Sequence, residues 1–122
     1  MRLALVLHPE RASAAALATD LVGRARRRGM EVSALPGDAR RVAGTIPRSE
    51  DGTIEADVVV AVGGDGTMRE AVRLAVAADL PVLGVNAGHV GFLTRVEPGR
   101  LDDALDVLAA GHWAEQTPGR NG

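Results

Sequence analysis

Three short stretches are apolar almost without interruption: LALVLH (3–8), ADVVVAVGG (56–64) and LPVLGVN (80–86). Each runs out into Pro, Gly or Asn. Runs of this length with no polar alternation fit strands covered on both faces, the habit of parallel sheets. Between them the period changes. Over Ala12–Arg28, Leu17, Leu21, Val22 and Ala25 recur at helical spacing, and the segment closes on GRARRR and Gly29. Cations suit a helix C-terminus and glycine ends it. The Arg24–Arg28 cluster therefore reads as a solvated helix end rather than a phosphate or partner contact.

The remaining elements follow the same alternation. MEVSAL (30–35) reads as a short strand, and Thr67 to about Ala78 as a helix burying Met68, Ala71, Val72, Leu74 and Ala75. Residues 87–94 are a loop or short strand. Residues 98–111 are a last helix with Leu101, Leu105 and Leu108 on one side. Residues 36–56 read as a loop with one helical turn near Asp38–Val42, long enough for a connector to suggest a functional segment. Strands alternating with helices imply right-handed βαβ units. The expected fold class is α/β, a three-layer α/β/α arrangement on a mainly parallel sheet. One domain is expected over 1–111, with a flexible tail over 112–122.

Composition removes several functions. Of 122 residues only Phe92 and Trp113 are aromatic, so no stacking platform for single-stranded nucleic acid exists. The net charge of −2 suggests no polyanionic partner. Every basic residue is Arg, and a Walker-type phosphate loop needs Lys. There is no Cys, which removes disulfides, thiol catalysis and cysteine metal sites and fits a reducing cytoplasm. The N-terminal apolar run is too short for a signal sequence or a membrane span. A cytoplasmic protein without nucleic-acid or membrane partners is expected. His8, His89 and His112 lack metal-site spacing, so no structural metal is expected.

The chemistry concentrates in AVGGDGTMRE (61–70). Gly63, Gly64 and Gly66 follow a buried strand and open a helix. Glycines let backbone N–H groups approach a phosphate, and the helix N-terminus adds a favourable dipole. Thr67 suits a helix cap and a bond to a phosphate oxygen. Asp65 is the unusual member, because a carboxylate repels phosphate unless a metal or a substrate hydroxyl intervenes. It suits accepting a proton from an attacking hydroxyl, or holding Mg²⁺ beside a nucleotide. Taken alone, the tetrapeptide equally fits a tight Gly-Asp-Gly turn. A second Gly-rich loop, GVNAGHVGFLT (84–94), opens on the same sheet edge with Asn86 and His89, and two such loops make one crevice.

GGDGT (63–67), followed after one helix and one strand by GVNAGHVGFL (84–93), resembles the NAD kinase family. The pentapeptide is shared with diacylglycerol- and sphingosine-type lipid kinases, while the second motif is more specific. The resemblance is strong over 57–97. It implies the Rossmann-like N-terminal domain of those kinases and transfer of phosphate from ATP to NAD, giving NADP, with Mg²⁺ or another divalent cation. By the same resemblance Asp65 accepts the proton of the adenosine 2′-hydroxyl, and Gly66 contacts NAD. Gly63, Gly64 and Thr67 lie by the ATP phosphates and metal. Phe92 and Leu93 pack on the nucleotide, and Asn86, His89 and Gly91 belong to the same binding loop.

Two departures stand out. Glu70 occupies a position where many bacterial members carry an Arg that meets NAD, and where lipid kinases often have Glu. A C-terminal β-rich domain is also expected of the family. GHWAEQ resembles the crossing into it, but TPGRNG then ends the sequence. The expectation is the N-terminal half of a kinase, a homo-oligomer on family precedent, with a half-formed site. A lipid-kinase-like domain and a non-catalytic nucleotide-binding module are the alternatives.

Overall fold

A computed structural model describes residues 1–8, 12–48, 54–86, 94–96 and 100–110. The strands are β1 (Arg2–Leu7), β2 (Glu31–Ala34), β3 (Ile46–Pro47), β4 (Val58–Gly63), β5 (Val82–Asn86) and β6 (Thr94–Val96). They form one sheet in the order β3-β2-β1-β4-β5-β6, and every pair is parallel. The helices are α1 (Ala12–Arg27), α2 (Pro36–Ala39), α3 (Asp65–Ala78) and α4 (Leu101–Ala110). This is the expected layered α/β architecture, with a central β1–β4 pair whose residues are almost all buried.

Odd and even positions of the central strands feed different cores. Leu3, Leu5 and Leu7 of β1 pack with Val58, Val60 and Val62 of β4 against Leu21 and Val22 of α1 and Leu101, Leu105 and Leu108 of α4. Ala4, Val6, Val59 and Ala61 face the other way, onto Met68, Ala71 and Ala75 of α3. A strand buried on both faces cannot alternate apolar with polar, which is why these runs are legible in the sequence. Right-handed crossovers in opposite directions along the sheet put α1 and α3 on opposite faces.

Helix ends follow the local chemistry. Gly29 leaves α1 at φ +77°, and the Met30 N–H returns to the Ala25 carbonyl at 3.1 Å. Asp79 plays the same left-handed part after α3 at φ 56°, with Leu80 N–H on the Ala75 carbonyl at 2.8 Å.

Four expectations need correction. The 36–56 segment contains β3, a two-residue edge strand that Pro47 and its brevity hide from pattern reading. The helical turn there begins at Pro36 rather than near Asp38, because proline suits a first helical position. The third helix starts at Asp65, two residues before the expected Thr67. The α1 arginines are not simply solvated. Arg24 bonds Asp20 on its own helix and Asp102 on α4, and Arg28 reaches Asp102 at 3.0 Å and Asp106 at 2.9 Å. The cationic end of α1 is thereby tied to the acidic start of α4.

Candidate functional site

The chain leaves β1 toward β2 on one side and leaves β4 toward β5 on the other. Their carboxyl ends therefore diverge, opening the crevice where ligands of open α/β sheets bind. At that point lie His8, which follows β1, and the Gly63–Thr67 turn, which follows β4. Asn86, at the end of β5, is in register with Gly63. The two Gly-rich segments thus begin at neighbouring strand ends, as expected. His89, Gly91, Phe92 and Leu93 lie outside the described residues.

Gly63 and its neighbours are glycines for different reasons. Gly63 has φ +157°, and a Cβ there would stand 2.5 Å from Thr67 Oγ1 and 3.1 Å from His8 Cβ. Its missing side chain lets three segments close together. Gly64 is the N-cap of α3 at φ −98° and ψ −156°, and Gly66 sits in the first helical turn. A Cβ on either would meet nothing within 4 Å. Openness alone marks no site, since Gly23 on α1 is equally open. Here, however, the open glycines lie at the sheet's crevice, on a helix start that no side chain caps. The first backbone bond of α3 runs from Met68 N–H to the Gly64 carbonyl. The preceding N–H groups have no partner inside the helix, which is the property that makes helix N-termini bind anions.

Thr67 is not the cap. It is the third helical residue, only 6% exposed, and it packs over Gly63. Its buried position props the turn from below. Asp65 is exposed in the first helical turn. An acid there is favoured by the helix dipole, and no base stands on the turn itself.

Glu70, in the second turn of the same helix, forms a bidentate pair with Arg73, with Nη2–Oε1 at 2.5 Å and Nε–Oε2 at 3.1 Å. The hydrogen bonds from Arg73 hold the Glu70 carboxyl below its ordinary value. The charge that set Glu70 apart in the sequence is thus matched on its own helix.

Two residues of the crevice were not singled out from sequence. His8 N–H donates to the Val62 carbonyl at 3.1 Å, which fixes it beside the turn. Its carbonyl accepts from Arg41 Nη1 at 2.7 Å. Arg41 also faces Asp38 at 3.7 Å. Nearby, Arg48 Nη1 donates to the carbonyls of Leu5 at 3.0 Å and Ser33 at 3.2 Å, filling the gap where β1 and β2 part. Burial pushes Arg48 below the ordinary arginine value and raises the Asp38 carboxyl, although Arg41 and Arg48 pull Asp38 the other way. The signal for His8 was topological: the residue ending the first strand falls at the crevice once the strand order reverses there.

Among the described residues, no three His, Cys, Asp or Glu gather as a metal cluster, and no helix is long and apolar enough to cross a membrane.

The sequence pattern of the ATP-NAD kinase N-terminal domain matches residues 16–113. The NAD kinase of Moorella thermoacetica is 48% identical over 65 residues, covering 53% of this chain and 21% of that protein. The Nocardia farcinica NAD kinase is 43% identical over 77 residues, 63% of this chain and 23% of the relative. The NAD kinase of Syntrophotalea carbinolica is 35% identical over 109 residues, 88% of this chain and 37% of the relative. The match thus spans between a fifth and just over a third of these curated relatives. With the family's pattern running through α3, β5 and α4, the chain belongs to the ATP-NAD kinase N-terminal domain family.

Proposed function

We propose that this chain carries the phosphate-handling part of an NAD kinase site, in which ATP phosphorylates the adenosine 2′-hydroxyl of NAD to give NADP and ADP. The observation that carries the reading is the uncapped, glycine-lined start of α3, with the Asp65 carboxylate exposed at its first turn, where the strand order reverses. The relatives' shared name, NAD kinase, supports the choice of substrates.

In this reading the backbone N–H groups of Gly64, Asp65 and Gly66 receive the ATP phosphates, and Gly66 lets NAD approach. Asp65 accepts the proton as the 2′-oxygen forms its bond to the γ-phosphorus and the bond to ADP breaks. Gly63 and Thr67 hold the turn in shape. By the family resemblance Asn86, His89, Gly91, Phe92 and Leu93 contribute to nucleotide binding. A divalent cation would neutralise phosphate charge. With Asp65 acting as the base, the cation would be held chiefly by the substrate phosphates. A cytoplasmic location and self-association complete the reading.

The test is NADP formation from NAD, ATP and Mg²⁺, by this chain and by the chain joined to the C-terminal remainder of the Moorella thermoacetica NAD kinase. The expected result is NADP that disappears in Asp65→Asn. A folded fusion that binds ATP but phosphorylates diacylglycerol instead, or nothing at all, overturns the proposal.

A further inference from the structure

Phosphate transfer to a sugar hydroxyl and to water ask different things of a site. Both need the phosphates held, a proton acceptor within reach and the leaving diphosphate in line. Transfer to NAD also needs a pocket that holds the acceptor nucleoside. Transfer to water needs no such pocket, because water reaches any exposed base. What suppresses hydrolysis in a phosphotransferase is exclusion of water from that base.

The turn at the start of α3 carries the first set of parts, and its own residues do not keep water out. Asp65 is exposed, and no described residue hydrogen-bonds or ion-pairs with its carboxylate. On either side, a Cβ at Gly64 or Gly66 would meet nothing within 4 Å. The residues flanking the base therefore have no side chain with which to roof it. Two features point to an anion as what the turn receives. The α3 N-terminus has no side-chain cap. Thr67 is only 6% exposed, its Oγ1 lies 2.5 Å from the place of a Gly63 Cβ, and it bonds to no described residue. A buried hydroxyl without a protein partner is a donor left for a ligand.

We propose that this turn has a second activity with Asp65 as its base: hydrolysis of a nucleoside triphosphate to the diphosphate and inorganic phosphate when no sugar hydroxyl is in place. The proposal rests on reading the crevice as an ATP site and names water as the alternative acceptor there. In the step, the oxygen of one water bonds to the γ-phosphorus as the bond from that phosphorus to the β,γ-bridging oxygen breaks. Asp65 takes one proton of the water, the other stays on the new phosphate, and ADP leaves with the bridging oxygen. The proton on Asp65 passes to solvent, to which its side chain is exposed. NAD seated with its 2′-hydroxyl at Asp65 displaces this water, so hydrolysis and NADP formation compete for one base.

The test gives the chain ATP and Mg²⁺ in water labelled with heavy oxygen and follows the released phosphate by mass spectrometry. Inorganic tripolyphosphate, titrated calorimetrically without a divalent cation, reports binding to the turn apart from turnover. The expected result is phosphate carrying one labelled oxygen, ADP carrying none, and release that falls about 10²-fold or more in Asp65→Asn. Tripolyphosphate should bind Asp65→Asn at least as tightly as the parent, because a like charge is removed. That combination marks the loss of a base and not of a site. Should Asp65→Asn fail to fold, Gly64→Ala decides, and it should lower tripolyphosphate affinity and phosphate release together, each about tenfold. In the fusion with the C-terminal remainder, added NAD should lower phosphate release as NADP forms. Release undiminished in Asp65→Asn or, failing that variant, in Gly64→Ala overturns the proposal. So do labelled oxygen on ADP, tripolyphosphate binding without any phosphate release from ATP, and no tripolyphosphate binding. The two readings separate. Asp65-dependent release by a fusion that forms no NADP defeats the kinase reading alone. NADP formation with no phosphate release, whether NAD is present or absent, defeats hydrolysis alone.

Discussion

The two faces of the sheet are built from different side chains. On the α1–α4 face the core is rich in leucine: Leu3, Leu5, Leu21, Leu101 and Leu105 are all at most 2% exposed. On the α3 face the buried positions are Ala4, Ala61, Ala71 and Ala75, with Val6, Val59, Val82 and Met68. Among the described residues, the α1–α4 face buries twenty residues in its core and the α3 face only eight. The difference teaches where each task sits. The larger core holds the fold together, and the smaller one carries the helix whose N-terminus opens at the crevice.

The sharpest way to break that division is Asp65→Asn. If the α3 face carries the chemistry, NADP formation by the active fusion should fall by about 10²–10⁴-fold, the range for removing a general base. Thermal stability should change by less than about 1 kcal/mol, because only a favourable helix-dipole interaction is lost. Equal losses in both would erase the distinction. The converse change is Leu105→Ala. It leaves a cavity between α4 and the sheet and should destabilise by about 2–5 kcal/mol in urea unfolding. Tripolyphosphate affinity of the protein that remains folded should be unaltered. Ala71→Leu tests the smaller core directly. Extra volume under α3 should cost about 1–3 kcal/mol. Unlike Leu105→Ala, it should also weaken tripolyphosphate binding, because the helix N-terminus is lifted from the strand ends.

Two adjacent glycines carry the comparison into the turn itself. Gly63→Ala puts a methyl 2.5 Å from Thr67 Oγ1 at a backbone angle that L-residues rarely adopt. It should destabilise by about 1–3 kcal/mol. Gly64→Ala meets nothing within 4 Å. It should cost under about 1 kcal/mol of stability, yet weaken tripolyphosphate binding about tenfold, about 1.4 kcal/mol, by occupying the space the ligand needs. Melting curves and titrations on the pair separate a glycine kept for folding from one kept for binding.

What could be read from sequence follows the range of the interactions involved. β1, β4 and β5 were legible because burial on both faces leaves continuous apolar runs. α1, α3 and α4 were legible because Leu21, Met68 and Leu105 belong to helical periods. The Gly63–Gly66 turn was legible because glycines clustered around one acid are informative over five residues. The rest depends on contacts far apart in the chain. Arg24 and Arg28 meet Asp102 and Asp106 across 78 positions in their hydrogen-bonded pairs, and Arg41 meets His8 across 33. No local period encodes either. The start of α3 was misjudged for the opposite reason. Gly66 is a poor helix former, but the hydrogen bonds of the following turns and the packing of Met68 and Ala71 extend the helix over it.

Two carboxylates give the smallest and most specific test, because they should bend the pH dependence in opposite directions. Asp38, on the β1–β2 side, is raised mainly by burial, against the pull of Arg41 and Arg48. A carboxyl raised in the fold favours the protonated state. Its contribution to stability is therefore full below the ordinary aspartate range near 4 and is lost as pH rises through the folded value. Glu70, on the exposed side of α3, is lowered by its hydrogen bonds from Arg73. Its contribution is present above the ordinary glutamate range and is lost as pH falls through the folded value. Urea midpoints between about pH 3 and pH 7 should then separate the two variants. Asp38→Asn should remove a decline on the neutral side of the profile and leave the protein no less stable at pH 7. Glu70→Gln should remove a decline on the acid side, and its effect should shrink in high salt because the pair is exposed. Slopes of the same sign for both would mean that Arg41 and Arg48, rather than burial, govern Asp38.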